Sequence, residues 1–198
     1  MVTTNKGTQH KAPVVAIAGG LGRFEPRKPQ LDTIEYYEDK GVAYIIKDPE
    51  VYRDKKVVIS GGGDSALDWS IFLSEVASEV TLIHRRNEFR GALDSVDKVQ
   101  ELKNNGKINI ITPAEVTALF GEHQLEAIEV TKAGEAPVRI KTDHFIPLFG
   151  LSPKLGTIAD WGLEIEKNAI KVNNAMDYKT NIPGMCAVGE VKSEHGKL

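Results

Sequence analysis

The sequence predicts an α/β fold: a parallel sheet with helices on both faces, joined to a three-stranded antiparallel meander. Three observations predict it. The β-branched runs Val57-Val58-Ile59, Val80-Thr81-Leu82-Ile83 and Ile108–Ile111 have the continuous apolar character of strands buried on both faces. Between them apolar residues recur at helical spacing, first Ala66, Leu67, Ile71, Phe72 and Val76, then Val96, Val99 and Leu102. After Ile111 the texture changes to alternation of apolar and polar residues over 115–120, 125–132 and 138–141, as in strands with one solvated face.

Taken in order, residues 2–18 read as a hairpin turning at Asn5-Lys6-Gly7, with Val14-Val15-Ala16-Ile17 as a buried strand at its end. Gly19, Gly20 and Gly22 follow, but Arg23-Phe24-Glu25-Pro26 offers no easy helix start. Residues 31–39 predict a short helix with Asp32 as N-cap, and residues 42–46 a strand closed off before Pro49. The second helix spans 95–103, stopped by Asn104-Asn105-Gly106. The meander turns at 121–123 and 133–135 and doubles as the crossover back to the parallel sheet. Residues 144–150 read as a central strand ending in a Gly150-Leu151-Ser152-Pro153 corner. Leu155, Ile158 and Trp161 mark a short amphipathic segment, and residues 170–172 and 185–188 supply the last strands.

The chemistry concentrates between Lys55 and Arg90. Gly61, Gly62 and Gly63 follow the first strand at once, and Ala66 closes a G-x-G-x-x-A pattern as the helix opens. Strand, glycine turn, helix, strand is the context a dinucleotide fingerprint requires, so the sheet reads as Rossmann-like. Glycines let backbone approach a pyrophosphate, which rests on free N–H groups at the helix N-terminus. Ser65 adds a hydroxyl there. Asp64 is a complication, since the helix dipole favours it while a phosphate would repel it unless it points away. An NAD site places a carboxylate near the end of the second strand for the ribose 2′-OH. This chain instead has His84, Arg85, Arg86 and then Arg90, with no acid before Glu88. Three guanidiniums suit a 2′-phosphate, so the expected cofactor is NADP(H), with His84 near the adenine ribose.

The same residues carry a resemblance. GGGDSALDW followed by HRRNEFR resembles the NADPH domain of thioredoxin-reductase-like flavoenzymes. AGGLGRFEPRK, from Ala18, resembles the linker of the thioredoxin-reductase-type (type 2) ferredoxin–NADP⁺ reductases, and TNIPGMCAVGEV, from Thr180, the flavin-contacting tail of the wider family. The resemblance implies FAD in the full-length protein, with Phe24 against the flavin nucleotide and Gly150 close to the bound nucleotide. It places Glu190 where the family usually has Asp, at the ribityl or pyrophosphate region of FAD. It implies an oxidoreductase passing electrons from NADPH through FAD to ferredoxin or flavodoxin, and a homodimer when complete. True thioredoxin reductases carry a C-x-x-C dithiol near Ile45 and Ile46, where this chain has no thiol. No FAD fingerprint precedes Lys55, so the chain is expected to be an excised segment without turnover of its own. Residues 1–40 would be hairpin and linker from a truncated FAD domain, 41–180 the NADP(H)-binding domain, and 181–198 a return linker.

Composition narrows the alternatives. With 198 residues, 41% hydrophobic and 27% charged content and a net charge of −3, nothing drives the chain toward nucleic acid or anionic membrane. No apolar run is long enough to cross a bilayer and no secretory signal stands at Met1, which points to the cytoplasm. Cys186 is the single cysteine, so the chain holds no internal disulfide. The histidines, His10, His84, His123, His144 and His195, share no metal-ligand spacing. No catalytic acid, base or nucleophile is expected, because in hydride transfer the cofactors carry the reaction. Two other readings remain: the nucleotide domain of a related flavoenzyme with a different acceptor, and a non-enzymatic nucleotide-binding protein.

Overall fold

The computed structural model describes residues 1–20, 25–152, 154–174 and 176–193. The chain divides into two compact units, one of residues 26–150 and one of residues 1–25 with 151–198.

Residues 26–150 are built on a four-stranded parallel sheet in the spatial order His144–Pro147, Lys56–Ser60, Glu79–Ile83, Ile108–Ile111. The strand period of two sorts its side chains onto two cores. Val57, Ile59, Val80, Leu82, Ile108 and Ile146 face the helices Asp64–Leu73 and Leu93–Asn104, which add Leu67, Leu73, Val99 and Leu102. Val58, Ile83 and Phe145 face the other way, toward Leu119, Ile128 and Val130 of the meander. The meander pairs Ala127–Thr131 with Val138–Lys141 on one side and Glu115–Phe120 on the other, both antiparallel, with a bulge between Val116 and Ala118. It is the crossover from Ile108–Ile111 to His144–Pro147. The predicted α/β architecture is therefore present, with unequal layers: both long helices lie on one face. The meander covers the other, with the one-turn helix Ile34–Tyr37.

Several expected elements differ. The 31–39 helix shrinks to Ile34–Tyr37 and starts at Thr33 rather than Asp32. It cannot continue, because Asp39 (φ 60°) and Gly41 (φ 120°) turn left-handed. The 42–46 strand is absent. Val42 makes only isolated bridges, to Glu38 and to Phe145, and then the chain leaves the sheet edge. Val42 packs in the meander-side core and Ile46 in the helix-side core, so the segment crosses from one face of the sheet to the other instead of lying along it. The central strand ends at Pro147.

In the second unit the expected hairpin is only Val2–Thr3 paired with Gln9–His10. Val15–Ile17 is a separate strand, parallel to Met185–Ala187. Of that run only Ile17 is buried, while Val14 is 62% exposed. Ile17, Ala187 and Val191 share a core with Leu155, Leu163, Ile170 and Val172. The strand expected at 170–172 appears as Ala169–Ile170. These cores explain why the unit boundaries fall elsewhere than at residues 40 and 180. Ile34 and Tyr37 pack with Phe145, so the stretch after Pro26 joins the parallel-sheet unit; Leu155, Leu163, Ile170 and Val172 pack with Ile17 and Ala187.

Candidate functional site

The parallel sheet delivers the ends of three adjacent strands to one edge. Ser60 leads into the glycine turn, Ile83 into His84 and the arginines, and Pro147 into the corner at Gly150. In open parallel sheets ligands bind outside the carboxyl ends of the strands.

The three glycines of the turn have different causes. A Cβ on Gly61 would stand 2.7 Å from Ala66 Cβ and 2.8 Å from the Leu148 carbonyl oxygen. A Cβ on Gly62 would stand 2.2 Å from His84 Cε1. Close packing from beneath therefore dictates glycine at both. Gly63 differs. It has an ordinary extended φ of −103° and a Cβ there would meet nothing within 4 Å. The protein's own packing leaves this space open. Gly61 N–H donates to the Ile83 carbonyl, and Ala66 and Leu67 N–H donate back to Gly63 O, which starts the helix. The N–H groups of Gly63, Asp64 and Ser65 find no acceptor among the described residues, as a helix N-terminus leaves them. Ser65 is exposed on the first turn, and Ala66 is buried beneath it.

The segment after the second strand returns to the turn. His84 N–H donates to Ile111 O (3.2 Å), its carbonyl accepts from Ala114 N–H (2.9 Å), and Arg90 N–H donates to Gly62 O (2.7 Å). The guanidiniums of Arg85, Arg86 and Arg90 are exposed and enter no ion pair among the described residues. The His84 pKa is lowered by burial first and then by the positive charges of Arg90, Arg85 and Arg86. The backbone of Arg90 is thus tied to the glycine turn, and Arg85 and Arg86 follow the buried His84 directly in the chain.

Two expected contacts take another form. His84, placed by sequence near the ribose, is 5% exposed, with its ring under Gly62 and stacked on Phe89 at 5.4 Å. Its Nε2 is buried without a hydrogen-bond partner. The ring supports the turn from below because Gly62 has left it the room. Asp64, a candidate cofactor residue whose charge a phosphate would repel, turns its carboxylate away: Oδ1 accepts the Ala92 N–H at 2.7 Å. Phe89 and Gly91 escaped the sequence reading. Gly91 lies so close on the helix that a Cβ would stand 2.5 Å from Leu67 Cδ1 and 3.1 Å from Asp64 Oδ1. A glycine immediately after the last arginine was the available signal.

Gly150 requires its residue type, with φ 86°, and its carbonyl accepts from Arg27 N–H at 3.0 Å. Glu190 is exposed in the one-turn 3₁₀ helix Gly189–Val191 of the other unit. Phe24 lies outside the described residues. Tyr44, in the stretch without thiols, donates its hydroxyl to Glu38 Oε1 at 2.9 Å. No helix among the described residues is long and apolar enough to cross a membrane.

Residues 2–198 match the family model described as pyridine nucleotide-disulphide oxidoreductase. The whole chain aligns at 69% identity with 56% of a ferredoxin–NADP reductase of Flavobacterium johnsoniae. It aligns at 68% identity with 57% of ferredoxin–NADP reductase 1 of Christiangramia forsetii. The chain thus spans little more than half the length of these curated relatives. Among solved structures, the thioredoxin reductase of T. acidophilum superposes with a TM-score of 0.81 at 25% identity. That superposition covers 96% of this chain and 61% of the other.

Proposed function

The chain belongs to the pyridine nucleotide-disulphide oxidoreductase family, and we propose that its share of the family's work is to hold NADP(H). The observation that carries this is the trio Arg85, Arg86 and Arg90, exposed on the segment that follows His84 and returns to the glycine turn at the Arg90 N–H, and left unpaired among the described residues. Exposed guanidiniums in one cluster suit a phosphate dianion, which each can engage with two parallel N–H donors. An unphosphorylated ribose gives them nothing to pair with.

The residues present fit the nucleotide. The free N–H groups of Gly63, Asp64 and Ser65 and the open space over Gly63 match a pyrophosphate resting on the helix Asp64–Leu73. In this reading Gly61 and Gly62 shape the turn, Gly63 admits the phosphates, Ser65 adds a hydroxyl donor and Ala66 packs beneath. Arg85, Arg86 and Arg90 hold the 2′-phosphate, and Gly150 lets backbone near the nucleotide. When bound, NADPH supplies a hydride. The chain's own residues bind and orient, and no side chain is assigned a proton-transfer role.

For the whole protein we propose electron transfer from NADPH through FAD to ferredoxin or flavodoxin. The names of the relatives at 69% and 68% identity support this. Phe24 and Glu190 are proposed to lie along the FAD. A homodimer and a cytoplasmic setting belong to the same proposal. The test is calorimetric titration of the protein with NADPH and NADH. NADPH should bind at least about tenfold more tightly, since each charge-assisted contact contributes on the order of 1.5–3 kcal/mol. The double substitution Arg85→Ala/Arg86→Ala should abolish the preference. Equal affinities in the unsubstituted protein, or no binding, would end the reading.

A further inference from the structure

We infer that Asp64 is a positioning residue for 2′-phosphate selectivity: its carboxylate pins the backbone of the arginine segment to the glycine turn, presenting Arg90 in a fixed place. The inference rests on the NADP(H) reading above and assigns the Asp64 carboxylate no contact with the nucleotide.

A carboxylate in the first turn of a phosphate-binding helix opposes the ligand unless something else employs it. Here Oδ1 accepts the Ala92 N–H at 2.7 Å across 28 residues of sequence. Ala92 is the N-cap of the helix Leu93–Asn104 and has no side-chain acceptor of its own. Asp64 therefore sits at the start of two helices at once, and both N-termini favour its negative charge. Arg90 lies between two ties: its own N–H donates to Gly62 O at 2.7 Å, and two residues later Ala92 is held by Asp64. Gly91, between them, has no side chain to lift the segment off Leu67 and Asp64. One turn further on, Ser95 Oγ donates to Asp68 Oδ1 at 2.8 Å and fastens the same two helices again. A guanidinium on a backbone held on both sides loses less freedom when it meets its phosphate, and preorganisation of this kind appears as affinity. The benefit goes to the nucleotide that has the phosphate.

Two substitutions separate this role from simple charge. Asp64→Ala removes the acceptor; Asp64→Asn keeps an amide oxygen in its place while removing the charge. NADPH, NADH and the fragment 2′,5′-ADP are titrated against each variant, and exchange of the Arg90 and Ala92 amide hydrogens is followed. In Asp64→Ala, affinity for NADPH and 2′,5′-ADP should fall about tenfold, the cost of one lost charge-assisted bond. NADH affinity should change less than about twofold, and both amides should exchange faster. Asp64→Asn should keep the selectivity ratio and the slow exchange. If both variants tighten all three ligands together, Asp64 acts only as a repelling charge and the inference is wrong. It is equally wrong if alanine leaves the selectivity ratio unchanged. Should the alanine variant fail to fold, Asp64→Ser serves instead, because its hydroxyl ends one bond short of the carboxylate oxygen. A lack of NADPH preference in the unsubstituted protein would instead remove the underlying reading.

Discussion

The two ends of the parallel sheet use similar residue types to opposite effect. At the end where the strands begin, polar groups consume one another. Lys56 Nζ meets Glu79 Oε2 at 3.0 Å, and Asn109 Nδ2 donates to Glu79 Oε1 at 3.1 Å. Lys56 N–H donates to Asp143 Oδ2 at 2.8 Å, and the Lys56 carbonyl accepts from Asp143 N–H and Thr142 Oγ1, both at 2.9 Å. At the end where the strands finish, the three arginines find no carboxylate among the described residues, the helix N-terminus keeps free donors, and His84 Nε2 has no partner. Folding closes one end. The other is left with charge and donors in excess, which a polyanionic ligand can satisfy.

The most severe way to break this contrast is Gly62→Ala. The new methyl would stand 2.2 Å from His84 Cε1, and neither partner has slack, since His84 is 5% exposed and stacked on Phe89. Overpacking of this kind costs about 1–3 kcal/mol of stability. NADPH affinity should fall by more than about tenfold, because the displaced turn carries the N–H groups and the Gly62 carbonyl that anchors Arg90. Denaturant unfolding and nucleotide titration read the two effects separately. Gly62→Ala with His84→Ala should recover much of the stability. If the double variant is no more stable than Gly62→Ala alone, the clash is not with the imidazole.

A smaller effect distinguishes the imidazoles at the two ends, one buried at His84 and one half-buried at His144. His84 and His144 both have lowered pKa values, with burial the leading cause in each. A histidine whose folded pKa lies below its unfolded value near 6.5 binds its proton more readily when unfolded. Its contribution is intact above about pH 6.5 and is lost as pH falls toward the folded value. His84→Gln and His144→Gln should each flatten the acid limb of a stability–pH curve. Salt separates them. Part of the His84 shift comes from Arg90, Arg85 and Arg86, so its share should shrink at high ionic strength more than that of His144. An acid limb unchanged by His84→Gln would show that this ring titrates as an exposed one does.

What could be read from sequence follows from how far apart the cooperating residues lie in the chain. Gly61 to Ala66 and His84 to Arg90 are contiguous runs, and a parallel strand pair brings the ends of such runs together almost by definition. That the segment carrying the arginines returns to the glycine turn was legible for that reason. The bond from Asp64 to Ala92 depends on the angle at which a loop returns over a helix, which no local pattern encodes. The depth of His84 was hidden too, since HRR reads as a solvated basic run until Gly62 is seen to leave room for the ring. In the fold, strict periodicities transferred well to Lys56–Ser60, Glu79–Ile83 and the meander. Residues 42–46 failed because an apolar run also serves a chain that crosses from one core to another, as Val42 and Ile46 do.

The gentlest test lies at the closed end and serves as a control for all the others. Lys56→Ala removes the ion pair with Glu79, whose side chains are 49% and 39% exposed, and leaves the backbone bonds of Lys56 to Asp143 in place. A pair this open to solvent contributes less than about 1 kcal/mol, so the unfolding midpoint should hardly move. Nucleotide affinity and the NADPH preference should stay within about twofold, because exposed charges beyond a Debye length of roughly 8 Å are screened at physiological salt. Arg85 and Lys56 are both exposed cations flanking the same pair of parallel strands, yet only one is expected to matter to the ligand. A loss of NADPH affinity in Lys56→Ala comparable to that from an arginine substitution would mean the whole field of the sheet recruits the nucleotide. Local geometry at the strand ends would then not be what recognises it.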